Sequence, residues 1–294
     1  MRRFTWAHLP DPAKTAFEAE FGRVRHTTTT PPGLTIGIAS RVETERHTVF
    51  VKAVPIRSPA LPGYRRERAV AEALPAGVPA PRILWVCEGG WLTLVFEYVE
   101  GRHVDLASDA LAVMRTLTDM RDRLDPSPVP GMRSIDEKLS AFLAAARAAL
   151  DGPAEEIADV DAYADVVERA DLAAFTGTAL LHADLTSGNL IHDGDRVWVL
   201  DWALSSLGAP WVDVALMVPR LTEAGFSPPE AERWASEHPD WRTAPAHALD
   251  LLAVLRPLFL VEKIRTGPSW LADGRREALR SHEAWARHRL RLCT

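Results

Sequence analysis

Cysteine is scarce in this sequence. The 294 residues include two, Cys87 and Cys293, which supply neither a disulfide framework nor a zinc-finger spacing. A reducing compartment fits that count, and a cytoplasmic location is the expectation. Long apolar runs are missing as well. The stretch 203–219 is broken by Asp213, and 246–261 by Asp250 and Arg256, so neither a membrane span nor a membrane partner is expected. Arg2 and Arg3 have no apolar run behind them, so a secretory or twin-arginine leader is not expected either. Nor is there an excess of positive charge. With 34 Lys and Arg against 40 Asp and Glu, the formal charge is −6, which argues against general nucleic-acid binding, a process driven by neutralising phosphates. Internal repeats and low-complexity segments are absent.

What is present is ordinary for a globular chain: 47% hydrophobic and 25% charged residues, with ample length for a core and a prior of two domains or lobes. The ten tryptophans are scattered and read as packing residues. Charge is unevenly divided. Residues 1–101 carry 13 basic and 10 acidic side chains, and residues 102–294 carry 21 and 30. The densest acidic stretch, 151–171, holds eight carboxylates against Arg169. It reads as a solvated helix face or, alternatively, as a rim that attracts a cationic substrate.

The first hundred residues read mostly as strand. Residues 24–30 and 34–42 flank the turn signal Pro31-Pro32-Gly33, and 47–54 form a third strand with Val49, Val51 and Ala53 on one face and Phe50 and Lys52 on the other. A short helix over 64–74 follows, then a hairpin of 82–87 and 91–98 across Glu88-Gly89-Gly90. Beyond Gly101 the pattern turns helical. Residues 109–124 place Leu111, Met114, Leu117 and Leu124 at helical spacing, and Ser134-Ile135-Asp136-Glu137 reads as a capping box opening the next helix. Further helices are expected over 154–175, 228–237, 245–264 with a kink at Pro257, and 273–292. Two short apolar pieces, 179–182 and 197–200, interrupt them.

Those two pieces frame the chemistry. The first runs into His182-Ala183-Asp184-Leu185-Thr186-Ser187-Gly188-Asn189, an H-x-D-x-x-x-x-N pattern, and the second ends in Asp201-Trp202. Phosphoryl transfer needs this set. One carboxylate accepts or orients the proton of an attacking hydroxyl, and a second carboxylate with an amide oxygen offers hard ligands to Mg²⁺. Asp184 fits the first role; Asn189 and Asp201 fit the second. A cation for the nucleotide phosphates is also needed. Lys52 is the only lysine between Lys14 and Lys138, and it lies in a β pattern. Glu67 on the following helix is the candidate carboxylate to hold it, with Glu72 as rival.

Together these residues resemble the aminoglycoside phosphotransferase and choline kinase-like family. Val51-Lys52 resembles its third-strand lysine, and Glu67 with the run Val78-Pro79-Ala80-Pro81-Arg82-Ile83-Leu84 resembles its helix and VPxP segment. Phe96-Glu97-Tyr98-Val99-Glu100-Gly101 resembles its hinge, residues 182–189 its HGDxxxxN loop, Asp201-Trp202 its DW pair, and residues 208–215 the GDPxxDLA that follows. Ala183 stands where the family has Gly, which reads as a small change; Ala203 and Ala209 stand where many members have an acid.

The resemblance implies an α/β (α+β) bilobal protein-kinase-like fold, with a β-rich N-lobe over 1–98, a hinge near 96–101 and a helical C-lobe over 99–294. It implies ATP or GTP with Mg²⁺ as cofactors, adenine bonded to the hinge backbone at Glu97 and Val99, and Lys52, held by Glu67, on the α- and β-phosphates. Asp213 would brace the catalytic loop and His182 would orient it. No G-x-G-x-x-G is present, so backbone N–H groups and the Thr30 or Thr35 hydroxyl would cover the phosphates. Asp105 would reach a ribose hydroxyl or cap a helix. The expected partner is a small molecule with a hydroxyl group, first of all an antibiotic or related natural product inactivated by phosphorylation. A metabolic small-molecule kinase and a non-catalytic kinase-like binding module are the alternatives. Protein kinase activity ranks last, since D-F-G and A-P-E segments are lacking.

Overall fold

The computed structural model describes residues 4–30, 37–153, 157 and 159–291. The chain divides into two compact units, residues 1–103 with 189–205, and residues 104–188 with 206–294. The composition shift near Gly101 carries no sign that 189–205 joins the first unit.

The first unit is built on an antiparallel five-stranded sheet of β1 (Val24–Thr29), β2 (Ile38–Thr44), β3 (Thr48–Pro55), β4 (Ile83–Glu88) and β5 (Trp91–Glu97). The spatial order is β1-β2-β3-β5-β4. Side-chain alternation along β3 and β5 supplies both faces. Val49, Val51 and Val95 pack on Phe17 and Phe21 of helix α1 (Asp11–Phe21), while Val54, Leu92, Leu94 and Phe96 pack on Leu61 and Tyr64 of helix α2 (Leu61–Ala73). Helix α1 lies in a segment to which the mostly strand reading of the first hundred residues assigns no element. Its local signals are plain in retrospect: Pro12 in the first turn, Phe17 and Phe21 one turn apart, and Gly22 at φ 88° closing the helix. Helix α2 begins three residues before the expected start, where Pro62 opens it. A second, three-stranded sheet joins β6 (Arg102–His103), β8 (Leu190–His192) and β9 (Val197–Val199) in the order β6-β8-β9. Gly101, at φ 147°, permits this pairing, because a Cβ there would lie 2.6 Å from the His192 carbonyl oxygen.

The second unit is helical. It comprises α3 (Leu106–Leu124), α4 (Asp136–Leu150), α5 (Val160–Glu168), α6 (Trp211–Glu223), α7 (Pro228–Ser236), α8 (Ala246–Thr266) and α9 (Ala272–Arg291), with β7 (Ala179–Leu181) paired to β10 (Ser206–Gly208). Helix α8 buries residues around most of its circumference and forms the centre on which α4 and α9 pack. Pro257 lies inside it as one continuous element.

Several sequence expectations are corrected here. Of the four apolar residues read at helical spacing in α3, Met114, Leu117 and Leu124 are buried, whereas Leu111 is 43% exposed. The expected capping box at Ser134 is absent, because Ser134 bridges to Leu207 and Ile135 donates its N–H to the Leu207 carbonyl at 2.7 Å. Tertiary pairing displaces the local cap. The long helix expected over 154–175 is the shorter α5, and Ala154, Glu155, Glu156 and Ala158 lie outside the described residues. Within the acidic stretch, Asp159 pairs with Arg287 at 3.0 Å, Asp165 with Arg169 at 3.8 Å, and Asp171 caps the turn at Ala173. These carboxylates serve the surface of the unit. Among the described residues, no helix is long and apolar enough to cross a membrane.

Phe17 is fully buried, with its ring centroid 4.9 Å from those of both Trp6 and Phe21. Phe17→Ala is expected to destabilise the protein by about 3–5 kcal/mol, read as a lowered urea midpoint. A shift smaller than ~1 kcal/mol would show that α1 contributes little to the sheet's stability.

Candidate active site

The first unit holds a buried ion cluster. Lys52 lies mid-strand in β3, pointing with Phe50 and Val54 to the α2 side of the sheet, and it is only 8% exposed. Its Nζ is 2.7 Å from the Glu67 carboxylate and 2.9 Å from Asp201 Oδ1. Burial alone would lower the pKa of this ammonium; the two carboxylates outweigh it and hold the group charged above the ordinary lysine value. Glu67 is itself 4% exposed. The rival Glu72 instead pairs with Arg68 at 2.8 Å on the surface of α2.

Asp201 follows β9 with φ 60° and ψ 66°, a left-handed conformation uncommon outside glycine. The turn after it is anchored by Trp202, whose indole donates to the Val199 carbonyl at 3.1 Å, and by Arg66, which donates to the Ala203 carbonyl. Asn189 ends a short 3-10 turn, and its carbonyl accepts the Leu200 N–H at 2.8 Å. The residue before Asp201 is thereby tied to Asn189. A carboxylate and an amide, both hard oxygen donors, fit Mg²⁺ in kind.

At the expected hinge, Glu97 ends β5. Its N–H donates to the Arg82 carbonyl at 3.0 Å, and its carboxylate accepts from the Arg82 N–H and Nε, both at 3.0 Å. Val99 is buried, and Tyr98 lies beneath the Arg41 guanidinium at 5.0 Å. Thr30, one of the expected phosphate contacts, directs its hydroxyl to the Ala39 carbonyl at 3.2 Å. Thr35 lies outside the described residues.

The second unit holds the loop after β7. His182 is fully buried. Asp213, in the first turn of α6, accepts the His182 N–H at 2.6 Å and the Ala183 N–H at 2.8 Å. His182 Nδ1 accepts the Asp184 N–H at 3.2 Å. Burial raises the Asp213 carboxyl above its ordinary pKa, with His182 and the two N–H groups opposing that shift. Ala183 adopts φ 61°. The exchange of Gly for Ala here is therefore not small, since an alanine pays about 1–2 kcal/mol for this conformation, and the surrounding bonds hold it there. Asp105 proves to be a helix cap: its side chain accepts the Ala107 N–H at 3.1 Å.

The sequence reading passed over Lys138 and Arg256. Lys138 on α4 donates from Nζ to the Ala183 carbonyl at 2.6 Å. No local pattern marks it, because its partner is 45 residues away.

The sequence profile described as the phosphotransferase enzyme family matches residues 38–247. The chain belongs to the phosphotransferase enzyme family. Solved structures share its fold over nearly their whole length at low identity. The choline kinase LicA from Streptococcus pneumoniae is 17% identical, with TM-score 0.65 over 95% of this chain and 99% of that one. A thermostable mutant of aminoglycoside phosphotransferase APH(4)-Ia is 16% identical, with TM-score 0.59 over 96% and 99%. A microcompartment-associated aminopropanol kinase is 15% identical, with TM-score 0.57 over 94% of each chain. No curated protein sequence matches the chain. This phosphotransferase has the expected fold class, with a sheet-based N-terminal lobe and a helical C-terminal lobe.

Burial, reinforced by Arg256 and Arg133 and opposed by Asp184 and Asp213, lowers the pKa of Lys138 to about 8. An unfolded lysine titrates near the ordinary value of 10.5. Between these two values the unfolded chain binds more protons than the folded one, so this group makes stability rise with pH across that window. Below pH 8 its full penalty is present. Lys138→Met cannot titrate and is expected to flatten this part of the profile, read as urea midpoints of both proteins at pH 7.5 and 9.5. Identical slopes would show that Lys138 is not desolvated.

Proposed function

We propose that this enzyme transfers the γ-phosphate of ATP, or of GTP, to a hydroxyl of a small molecule. The observation that carries the reading is the Lys52 ammonium held between Glu67 and Asp201 at 2.7 and 2.9 Å. A buried lysine with one structural carboxylate and a second, half-exposed one is arranged to orient nucleotide phosphates. Among the similar structures, APH(4)-Ia was solved with ADP and hygromycin B and with AMP-PNP and hygromycin B, and LicA with AMP.

In this reading Lys52 contacts the α- and β-phosphates, with Glu67 fixing its position. The backbone at Glu97 and Val99 receives the adenine, and Thr35 is the candidate hydroxyl for the phosphates. Asn189 and Asp201 hold Mg²⁺, which when bound supplies positive charge to the phosphate oxygens. Asp184 accepts the hydroxyl proton as the acceptor oxygen attacks. His182 and Asp213 set the backbone that carries Asp184, a positioning role, since His182 is sealed from solvent. Acceptors of two kinds fit this chemistry, an antibiotic or related natural product and a metabolic alcohol. Lys138 and Arg256 are both coupled electrostatically to Asp184 and bear on the charge of the acceptor, whichever kind it is.

Asp184→Ala is expected to lower kcat by about 10²–10⁴ with nucleotide affinity little changed, as loss of a positioned base does. ADP release with Mg·ATP across a panel of hydroxyl acceptors measures it, and full activity in the variant would remove Asp184 from the mechanism. Lys52→Ala is expected to weaken AMP-PNP binding by roughly 10-fold or more, the loss of one charge-assisted contact. Calorimetry with unchanged affinity would contradict the assignment.

A further inference from the structure

We propose that the acceptor is an anionic alcohol, a hydroxyl compound whose carboxylate or phosphate is bound by the Arg256 guanidinium and the Lys138 ammonium of the second unit. The proposal rests on the phosphotransfer reading for the fate of the hydroxyl, but not for the anion site itself.

Arg256 on α8 and Lys138 on α4 meet over one aromatic ring. The Arg256 Cζ lies 5.4 Å, and the Lys138 Nζ 5.9 Å, from the ring centroid of Phe142. Neither has a carboxylate within ion-pair distance among the described residues, and the buried Nε of Arg256 has no hydrogen-bond partner there. Both side chains nonetheless keep part of their surface accessible. The neighbouring charges are committed elsewhere. Arg220 pairs with Glu223 at 2.9 Å, Arg133 with Glu137 at 3.8 Å, and Asp213 takes the two loop N–H groups. The remaining carboxylate acting on both cations is Asp184, the group assigned to the hydroxyl proton.

Desolvated cations without a counter-ion are costly and are retained where an anion completes them. Burial lowers Arg256 to about 10 and Lys138 to about 8, the direction an unmet positive charge takes. A guanidinium fork matches the geometry of carboxylate and phosphate oxygens, and the ammonium adds a point charge. An acceptor that is itself cationic would add to the uncompensated charge. In turnover the acceptor oxygen bonds to the γ-phosphorus, the bond from that phosphorus to the bridging oxygen breaks, ADP leaves with the bond's electrons, and the hydroxyl proton passes to Asp184.

The test is binding followed by turnover on the full chain with Mg·AMP-PNP or Mg·ATP. Gluconate, glucuronate, glycerate, glucose 6-phosphate and glycerol 3-phosphate are compared with neutral glucose and glycerol and with cationic kanamycin and choline. At least one anionic compound is expected to bind roughly 10-fold or more tightly than its neutral analogue, the worth of a charge-assisted pair. The carboxylate and phosphate arms identify which oxyanion is read. Arg256→Gln should reduce that preference to within about threefold, and Arg256→Lys should restore part of it. Preferential binding of kanamycin or choline, no binding by any anionic member, or a preference that survives in Arg256→Gln overturns the proposal. Wild-type binding decides even if a variant fails to fold. An anionic compound that binds but yields no ADP leaves the anion site standing and refutes phosphotransfer to it. Turnover of a cationic acceptor does the reverse.

Discussion

A lysine ammonium placed in the middle of a β-sheet has to be neutralised, and that requirement organises the first unit of this enzyme. Lys52 reaches Glu67 from α2 and Asp201 from the segment after β9, so one charge ties together three separate parts of the chain. The apolar neighbours of Lys52 on β3 and β5 exclude water from the cluster and make each of its electrostatic contacts stronger than on the surface. They also make an unpaired charge there costly. Glu67 is nearly sealed, whereas Asp201 is the more exposed partner. The cluster therefore has one structural side and one side that a ligand can rearrange.

The second unit solves a different problem, that of holding a loop in a conformation its residues disfavour. Ala183 sits at φ 61°. Asp213 gathers the N–H groups of His182 and Ala183, His182 gathers that of Asp184, and Lys138 caps the Ala183 carbonyl. Each bond is modest alone, yet together they over-determine the backbone that carries Asp184. Asp201 shows the same feature in the first unit, with φ 60°. Both left-handed residues lie next to, or at, groups assigned to the chemistry.

The charges around Asp184 bear on what the enzyme recognises. Family membership and shared fold leave the acceptor open, because the similar structures act on unlike compounds and share under a fifth of their residues with this chain. The helices α4 and α8 contribute cations, and these set a chemical condition on the acceptor that motif comparison does not reach.

The sequence by itself determined the fold class and picked out the candidate residues for phosphoryl transfer. Lys52, Asp184, Asn189 and Asp201 stand in short motifs whose spacing along the chain is set by one strand, one loop and one hairpin, and local order is what a sequence displays. The choice of Glu67 over Glu72 was open at that level. It was decided by which side of α2 faces the sheet, since Glu72 points to solvent beside Arg68. The loss of the cap at Ser134, the exposure of Leu111 and the inclusion of 189–205 in the first unit belong to the tertiary structure alone. So do Lys138 and Arg256. Lys138 meets the Ala183 carbonyl 45 residues away and Arg256 meets the Phe142 ring of another helix, and an isolated Lys or Arg in a sequence looks the same whether it faces water or a packed interior. Long-range packing decides between those environments, and with them the charge that a substrate meets.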